Sequence, residues 1–594
     1  TLRVGGEGRG EHGYEAVFSS AGAGLMDYRL LGYGRQPGEI TSDNRVLLLG
    51  RMAAGHDSLR VAWANSGPSR QELARLNLGN ALFQLVEIPA GAKVEPPPAY
   101  PVKTGENLVF RTVDGDWELI KTFRFPGGQA KLADFTLAAE VEWRNLSETG
   151  QLLAYGLAGP AGLLSDDDSP LFGAVSLLSA RQPSSASNGV EIERINLSDA
   201  AKLENMRSPD NRAGLAWIGA KNRFFAALLS TETSRLADAN GAERNAFPGS
   251  PALFPAVPGL AAALKSQPQA TTGAGSVPVF GESLLLVEPG AIGPGQAYRA
   301  SYLIYAGPLS DSFLESADPR FQGVISYGFI TSLDFISRWL VGLLSFLDSL
   351  IGNYGLAIIA VTIIFKLLLH PLNRKSYVSM NKMSKLAPQM KEIQKKYAND
   401  RVRLQQEMSR FYKEHGVSMA GGCLPMLLQL PIFFALYGAF AQGFSMRHAA
   451  FISGWIDDLS KPDVIYDLGW SIPLLNSPYI SALPLIYLGL QILQMSLQPK
   501  PNDPQQAQQQ KIMKFMPIVF SFMFYSMPAG LVLYFTVNAL CSVGESWWMR
   551  NILLPRLGLG DSPAAAASAS VGAQAGTGAA ATLSEAAKRK RKRR

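Results

Sequence analysis

A single lysine interrupts the most apolar stretch of this 594-residue chain. From Leu356 to Leu369 every residue is apolar or nearly so, except Lys366. A lysine near the middle of a membrane span costs roughly 2.5–3.5 kcal/mol on insertion scales. Thr362, four residues earlier, lies on the same helical face. A wet cavity within the bilayer would keep the charge solvated, but a lysine about 9 Å from the helix end at Leu372 could also reach the interface. These residues alone leave both interpretations open.

Five segments of the second half reach the length of a membrane span, about 20 apolar residues. A further stretch, Ser332–Ile351, mixes three charged residues with an apolar stripe, which predicts a helix lying in the interface. The five predicted spans are approximately residues 354–372, 421–442, 480–497, 512–527 and 529–550.

Loop charges predict the orientation of these spans. Residues 373–416 hold eleven Lys or Arg against four acidic residues, whereas 443–479 hold two against four. Residues 498–514 hold three Lys and one Asp, and the chain ends in KRKRKRR. Strongly basic segments thus alternate along the chain with segments that are not basic, as the positive-inside rule requires. We therefore predict that 373–416 and the C-terminus are cytoplasmic and that the first half of the chain lies outside.

Residues 1–318 read as a large antiparallel β-sandwich. Asp114-Gly115 predicts a hairpin, Pro126-Gly127-Gly128 another turn, and 246–281 a long loop. HExxH, GxSxG and Walker motifs are absent from this sequence, and this half has no cysteine, so it can form no disulfide. In DFTLAAEVEWRN one face of the predicted strand carries Phe135, Leu137, Ala139, Val141 and Trp143.

The predicted cytoplasmic loop contains a regular apolar stripe, which indicates two antiparallel helices packed as a hairpin. Self-packing would explain the stripe, and its methionines could also offer an adaptable surface to apolar partners. The stripe consists of Met383, Leu386, Met390, Ile393 and Tyr397 and, after a break at AND, Leu404, Met408 and Phe411.

Three motifs in this order carry a family resemblance: HPLNRKSYVSMNKMSKLAPQMKEIQKKY, GGCLPMLLQLPIFFALYGAF and QQKIMKFMPIVFSFMFYSMPAGLVLYFTVN. They resemble the YidC/Oxa/Alb membrane protein insertases, and the β-domain before them resembles the Gram-negative type. The resemblance implies a multi-domain, multi-pass protein of the bacterial inner membrane. In it a periplasmic β-sandwich precedes a transmembrane bundle of five core helices, a cytoplasmic helical hairpin and a cytoplasmic C-terminus. It also implies an earlier span, and because residue 1 is Thr we expect processing or truncation.

The expected domain division follows from the resemblance and the loop charges. It comprises a periplasmic β-sandwich (1–318), a linker with an interfacial amphipathic helix (319–353), a transmembrane helix (354–372), a cytoplasmic hairpin (373–416), four further transmembrane helices (417–551) and a flexible basic tail (552–594).

The resemblance also implies a hydrophilic groove open to the cytoplasm and to lipid. Lys366 matches a position where the family typically carries Arg. The lysine keeps the positive charge but lacks the guanidinium group, which can bind a carboxylate through two hydrogen bonds. Phe535 matches a groove position that can be Tyr in the family. His370 and Arg374 are interpreted as interfacial anchors. Asn538 and Glu545 could face the groove, and Asn538 could instead form a hydrogen bond between helices. The other expected groove residues are Thr362, Gln429, Gln491 and Gln494.

The expected function is that of an insertase and chaperone for membrane proteins, with no covalent reaction and no cofactor. The alternatives are a transporter or channel for small polar solutes and a sugar-acting enzyme anchored by its spans. Expected partners are nascent membrane protein clients and membrane lipids, with the Sec translocon and the ribosome as further candidates. Ribosomal RNA or anionic lipid would bind the terminal cluster Lys588, Arg589, Lys590, Arg591, Lys592, Arg593 and Arg594.

Overall fold

The computed structural model describes two compact units, Thr1–Tyr327 with Ala441–His448, and Gly328–Phe440 with Ala449–Arg594. The described residues are 2–6, 14–21, 23–34, 45–49, 61–67, 74–76, 82–89, 92–94, 103–125, 134–160, 163, 176–181, 190–196, 215–237, 243–245, 252–255, 283–327, 334–397, 400–415, 424–472, 477–497 and 515–558.

The described part of the first unit is almost entirely β-structure, followed by the short helix α1 (Asp311–Ala317) and a 3-10 turn (Pro319–Phe321). Its strands are β1 (Leu2–Gly6), β2 (Tyr14–Ser19), β3 (Gly24–Gly34), β4 (Arg45–Leu49), β5 (Val61–Gly67), β6 (Ala74–Leu76), β7 (Gln84–Pro89), β8 (Lys93–Val94), β9 (Lys103–Gly105), β10 (Leu108–Asp114), β11 (Trp117–Arg124), β12 (Thr136–Asn145), β13 (Gln151–Ala158), β14 (Ser176–Arg181), β15 (Glu191–Asn196), β16 (Leu215–Lys221), β17 (Phe225–Ala237), β18 (Glu243–Asn245), β19 (Ala252–Pro255), β20 (Ser283–Ile292) and β21 (Ala297–Pro308).

These strands form three sheets. The long sheet has the order β15-β14-β16-β17-β21-β12-β11-β10-β7-β9, with β18 beside β17. The two five-stranded sheets have the orders β4-β3-β2-β1-β8 and β19-β20-β13-β5-β6. Every pair of these strands is antiparallel except β7 with β9. The predicted β-rich first half is therefore confirmed.

Aromatic side chains hold the sheets together. The rings of Phe18 on β2 and Phe123 on β11 are 4.8 Å apart, and those of Trp143 on β12 and Tyr155 on β13 are 5.2 Å apart. The predicted face of β12 is buried. One residue on the matching face of β11 breaks the apolar pattern: Lys121 is 1% exposed and donates to the Ala23 carbonyl at 3.1 Å.

Two boundaries of the first unit differ from the prediction. Residues 319–327, expected in a linker, pack on the β-sheets, because the Trp217 indole donates to the Arg320 carbonyl at 2.8 Å and Arg320 binds Ser230 at 2.6 Å. The predicted loop 246–281 contains strand β19, which pairs with β20. The hairpin at Asp114-Gly115 is present, with Gly115 at φ +57, and the turn at 126–128 lies outside the described residues, although the strands it connects are paired.

The described part of the second unit is mainly helical. Each of the five predicted spans contains a helix, and the segment predicted to lie in the interface forms the first helix of the unit. The elements are α2 (Asp334–Ile351), α3 (Tyr354–Lys396), α4 (Arg401–Glu414), α5 (Leu424–Gln442), β22 (Tyr466–Ile472) paired with β23 (Ser477–Ile480), α6 (Ala482–Leu497), α7 (Phe515–Phe524), α8 (Ala529–Trp548), a π-helical turn (Met549–Leu553) and α9 (Leu554–Arg556).

Helix α3 extends across the predicted boundary between residues 372 and 373. It continues without a break through Pro371 and Pro388 to Lys396. The predicted first span and the first half of the predicted hairpin are therefore one helix. Helix α4 begins after Asp400, whose side chain accepts a hydrogen bond from the Arg403 N–H at 3.0 Å.

The loop Ala449–Asp463 joins the starts of three helices. Helices α3, α6 and α8 therefore begin at one end of the second unit and run in the same direction, and α5 ends shortly before this loop. The bonds are Asn353 Nδ2 to Phe451 O (3.1 Å), Ala482 N to Asp463 Oδ2 (2.7 Å) and Ala529 N to Lys461 O (2.7 Å).

Asp463 caps the start of α6, and its removal should loosen this junction. Its carboxylate also accepts from the Leu483 N–H at 3.0 Å. We expect Asp463→Ala to cost about 1 kcal/mol, the usual loss for a helix cap. Asp463→Asn keeps an acceptor oxygen and should cost less. Hydrogen exchange at residues 482–485 in the full-length protein measures the difference, and equal exchange in both variants would contradict the capping role.

The same residue gives this junction a pH dependence. Burial raises the pKa of Asp463 above its usual value, although backbone hydrogen bonds from Leu483 and Ala482 oppose the shift. The folded state then binds the proton more tightly than the unfolded state. The charge therefore opposes folding above the folded pKa, and this penalty fades as the pH falls toward about 3.9, the ordinary pKa of Asp. Asp463→Asn should remove this pH dependence.

Candidate functional site

A small polar cavity lies between helices α3, α5 and α8 of the second unit. Its volume of about 20 Å³ is room for roughly one water molecule. It is lined by Thr362, Phe365, Lys366, Leu369, Leu372 and Asn373 from α3, Gln429 and Ile432 from α5, and Tyr534 and Asn538 from α8. Three predicted groove residues, Lys366, Thr362 and Gln429, therefore come together here.

Lys366 is half-buried and binds the neighbouring helix. Its Nζ donates to Ser542 Oγ at 2.5 Å, and the Ser542 hydroxyl donates to the Asn538 carbonyl at 2.8 Å. Thr362 is buried, and its hydroxyl donates to the Ile358 carbonyl of its own helix at 2.7 Å. Gln429 hydrogen-bonds the side chain of Tyr534. The lysine amine thus faces α8 rather than extending out of the helix bundle.

A second polar cluster lies further along α3 and α8. Glu545 lies 2.9 Å from Nδ1 of His370 and accepts from the Asn373 amide at 3.3 Å. The His370 ring also lies 5.5 Å from the Trp548 ring. His370, expected as an interfacial anchor, pairs with the Glu545 carboxylate. The sequence feature that could have identified this cluster is a spacing of three or four residues between polar positions, which places them on one helical face. These positions are 362, 366, 370 and 373 on α3 and 538, 542 and 545 on α8.

Three predicted groove residues lie away from the lining of this cavity. Gln491 and Gln494 are half-buried on α6, where Gln491 hydrogen-bonds Tyr487. Phe535 lies in an aromatic cluster, with ring centres 4.9 Å from Phe524 and 5.5 Å from Phe433. It packs helices together rather than lining the polar cavity.

The predicted hairpin stripe is less exposed than its neighbours. Helices α3 and α4 contact each other, and Met390 and Phe411 are buried while Met383, Leu386, Ile393 and Met408 are half-buried. The charged residues between them, such as Lys385 and Arg410, are exposed. The basic cluster 588–594 lies outside the described residues.

The outer faces of the helices are apolar. In the part of the chain that the structure describes, one helix is long and apolar enough to cross a membrane, Tyr354–Met383, and 28% of its most apolar window is buried. Shorter apolar helices are Ala482–Leu497 and Phe515–Phe524. The exposed apolar side chains include Leu367 (70%) and Leu368 on α3, Ile492 on α6, Val519 on α7 and Leu540 on α8.

The described residues contain no group of three His, Cys, Asp or Glu side chains that could hold a metal ion. In the β-unit two of the most buried carboxylates are paired with arginines: Glu118 with Arg111 and Arg144, and Glu142 with Arg144 and Arg299. These pairs compensate the buried charges.

Three comparisons with known proteins found similar proteins. Residues 346–555 match the family model of the 60Kd inner membrane protein. The chain is 41% identical over 266 residues to the membrane protein insertase YidC of Oleidesulfovibrio alaskensis, covering 44% of this chain and 46% of that protein. It is 39% identical over 269 residues to YidC of Thiobacillus denitrificans, covering 45% of each. The chain thus spans slightly under half the length of these curated relatives.

Two solved structures were also similar, at low TM-scores. An active YidC insertase with its first transmembrane domain resolved covers 90% of both chains at 18% identity, with a TM-score of 0.32. A galactose mutarotase-like protein from Lactobacillus casei covers 51% of this chain and 99% of its own at 11% identity, with a TM-score of 0.27. These values are too low to establish a shared fold. Residues 346–555 of this chain are therefore similar to the 60Kd inner membrane protein family, and slightly under half of the chain is similar to membrane protein insertases named YidC.

Proposed function

We propose that this protein is a membrane protein insertase in which the polar cavity receives translocated segments of client proteins. The client's apolar span would leave sideways into lipid, without covalent chemistry. The observation that carries the proposal is the position of Lys366, half-buried beside polar groups of α5 and α8 within helices whose outer faces are apolar. Its matched relatives are named insertases.

The position of Lys366 suits this role. It lies twelve residues after Tyr354, about 18 Å along α3, which places it within a bilayer core about 30 Å thick. A positive charge there attracts acidic client residues and keeps the cavity wet. A hydrated cavity shortens the apolar distance that a client tail must cross. Burial of the client's apolar span in lipid, roughly 25 cal/mol per Å², supplies the driving force without a nucleotide.

The cavity must widen to accept a client. About 20 Å³ holds roughly one water molecule, so a polypeptide enters only if α3, α5 and α8 separate. Polar contacts between these helices, such as Lys366 with Ser542, suit such opening, since polar groups of the client can replace them. We therefore assign the described conformation to the resting state.

The directions of the helices support the predicted topology. Because α3, α6 and α8 begin at one end of the second unit, five spans in alternating directions fit the sequence of helices. With the basic segment 373–416 in the cytoplasm, the β-unit is periplasmic and the protein is multi-pass in the bacterial inner membrane. Residues 373–396 of α3 and helix α4 then form the cytoplasmic hairpin, a surface available to nascent clients or the Sec translocon.

Photocrosslinking tests the proposal. A photoreactive phenylalanine analogue at Phe365, which lines the cavity, should crosslink ribosome-bound nascent chains of a membrane protein. The same analogue at Leu367, which is 70% exposed, is the matched control and should crosslink lipid. We expect at least about a fivefold excess of client adducts at Phe365, because the two sites face different environments on one helix. Equal adducts would contradict the proposal.

The rival function, a channel for small polar solutes, requires a continuous path. Its test is solute release from vesicles containing the protein without client. Rapid release that stops in Lys366→Leu would favour the channel.

The basic tail gives a separate prediction. If residues 588–594 bind ribosomal RNA, removal of 561–594 should weaken co-sedimentation with ribosomes, and the difference should shrink steeply as salt is raised, because each lysine or arginine displaces a counterion. Unchanged ribosome binding together with weaker binding to anionic vesicles would assign the tail to lipid.

A further inference from the structure

The segment Val464–Trp470, which leads into and forms most of strand β22 on the loop between α5 and α6, exposes several apolar and aromatic side chains. Four of the seven residues from Val464 to Trp470 are exposed and apolar or aromatic: Val464 (41%), Ile465 (56%), Tyr466 (64%) and Trp470 (59%). Several large exposed apolar side chains within one short segment suggest an interaction site. A two-stranded hairpin is also marginal in water by itself, so further contacts would stabilise it.

The base of the hairpin is fixed at the ends of the membrane helices. The Ile465 N–H donates to the Ile480 carbonyl at 2.9 Å, and α6 begins two residues after Ile480. Asp463, immediately before this segment, caps that helix. The Tyr479 hydroxyl donates to the Tyr525 carbonyl at 3.4 Å, beyond the end of α7. The segment therefore begins at the level where the apolar helices begin or end.

Exposed apolar side chains also occur at the start of α6, the helix that follows the hairpin. Leu485 and Ile486, in the first turns of that helix, are 50% and 44% exposed. Tyrosine and tryptophan are enriched at membrane–water interfaces, where the ring is buried among acyl chains and the polar edge meets the headgroups. The segment Val464–Trp470 contains a tyrosine and a tryptophan and begins at the level where the apolar helices begin or end.

We propose that the hairpin segment Val464–Trp470 lies in the headgroup region of the bilayer and binds phospholipid, on the side where α3, α6 and α8 begin. The surrounding loop, 443–479, is acidic overall, with four Asp against one Arg and one Lys. Binding therefore relies on apolar contact and requires no anionic lipid. It would fix the helix starts against the bilayer while α3, α5 and α8 separate around a client. This role rests on the proposed membrane location but not on insertase activity.

Depth-dependent fluorescence quenching tests the proposal on the full chain. In a background with Cys423→Ser and Cys541→Ser, a single cysteine at position 470 or 466 is labelled with an environment-sensitive fluorophore. The matched control is a cysteine at Asp457, an exposed polar residue of the same loop. The protein is reconstituted in phosphatidylcholine vesicles that carry a nitroxide near the headgroup or deep in the acyl chains. Insertion of a client is measured in the same vesicles.

We expect quenching at 466 and 470 to exceed that at 457 by about twofold or more with the shallow nitroxide, and to be smaller with the deep one, as for an interfacial belt. No excess over position 457 overturns the proposal, and if client insertion is intact the insertase function stands. If the quenching disappears when client is added, the surface binds the client rather than lipid, and the proposal is overturned. Fluorophore self-quenching that rises with protein density, without lipid quenching, assigns it to a second copy.

Discussion

Lys366→Leu should slow the insertion of a client with an acidic translocated tail by about tenfold, while a matched client with an uncharged tail loses little. A charge pair at an effective dielectric between that of water and that of a protein surface is worth about 1–4 kcal/mol, and tenfold corresponds to about 1.4 kcal/mol. The leucine also makes the cavity drier. A strongly apolar client span partitions into lipid without this help. The measurement is protease protection of both clients in vesicles.

Two variants separate charge from geometry. Lys366→Arg retains the positive charge and should be nearly neutral. Ser542→Ala removes the hydrogen-bond partner of the Lys366 amine and should have a small effect, because the charge remains in a wet cavity. If Lys366→Leu slows the insertion of both clients equally, the lysine acts only through hydration of the cavity or through folding. If neither client is slowed, the lysine only extends to the membrane interface and does not act on the client.

Gly355→Ala should loosen the start of α3 and lower the thermal midpoint of the second unit. A Cβ at position 355 would lie 2.1 Å from the Phe451 ring, within the loop that joins the helix starts. Overpacking of this kind costs about 1–3 kcal/mol, which outweighs the gain of about 0.5–1 kcal/mol from replacing glycine in a helix. The midpoint temperature of unfolding in detergent, measured for the second unit, should fall by several degrees, since about 2–4 °C corresponds to 1 kcal/mol for a domain of about 200 residues.

The control for this variant is Gly489→Ala in α6. No atom lies within 4 Å of a Cβ built at Gly489, so this variant gains helix propensity without a clash and should be neutral or slightly stabilising. A midpoint that rises in both variants would show that Phe451 moves aside at little cost, and that the glycine is not required for the close approach.

Much of the fold could be predicted from local patterns. Alternation along β12 identified its buried face, which continues on β11 with one exception, and Asp114-Gly115 identified a hairpin. The exception, Lys121, is buried through a hydrogen bond to Ala23, a residue distant in sequence that no local pattern relates to it. The first span was predicted to end at residue 372 because the apolar run ends there, yet the helix continues to Lys396.

The candidate site was only partly predictable. Lys366 and Thr362 share a face because they are four residues apart, which sequence spacing gives directly. Ser542 and Glu545 were not connected with Lys366 and His370, because the register between two helices is decided by side-chain packing along their whole length. Gln491 and Gln494 stood out as polar residues in an apolar helix, but that property does not say toward which neighbour the polar face turns.

The unbroken course of α3 has a mechanical consequence. Its 43 residues make a rod about 65 Å long, of which a bilayer core takes up about 30 Å. The remainder is a lever arm that shares its backbone with Lys366. A tilt of about 5° at the membrane would move the far tip by about 3 Å, and a pull on the tip would turn the cavity wall by the same angle. The two prolines within the helix, Pro371 and Pro388, each remove a backbone hydrogen bond, so bending at either of them would reduce the angle that reaches the cavity wall.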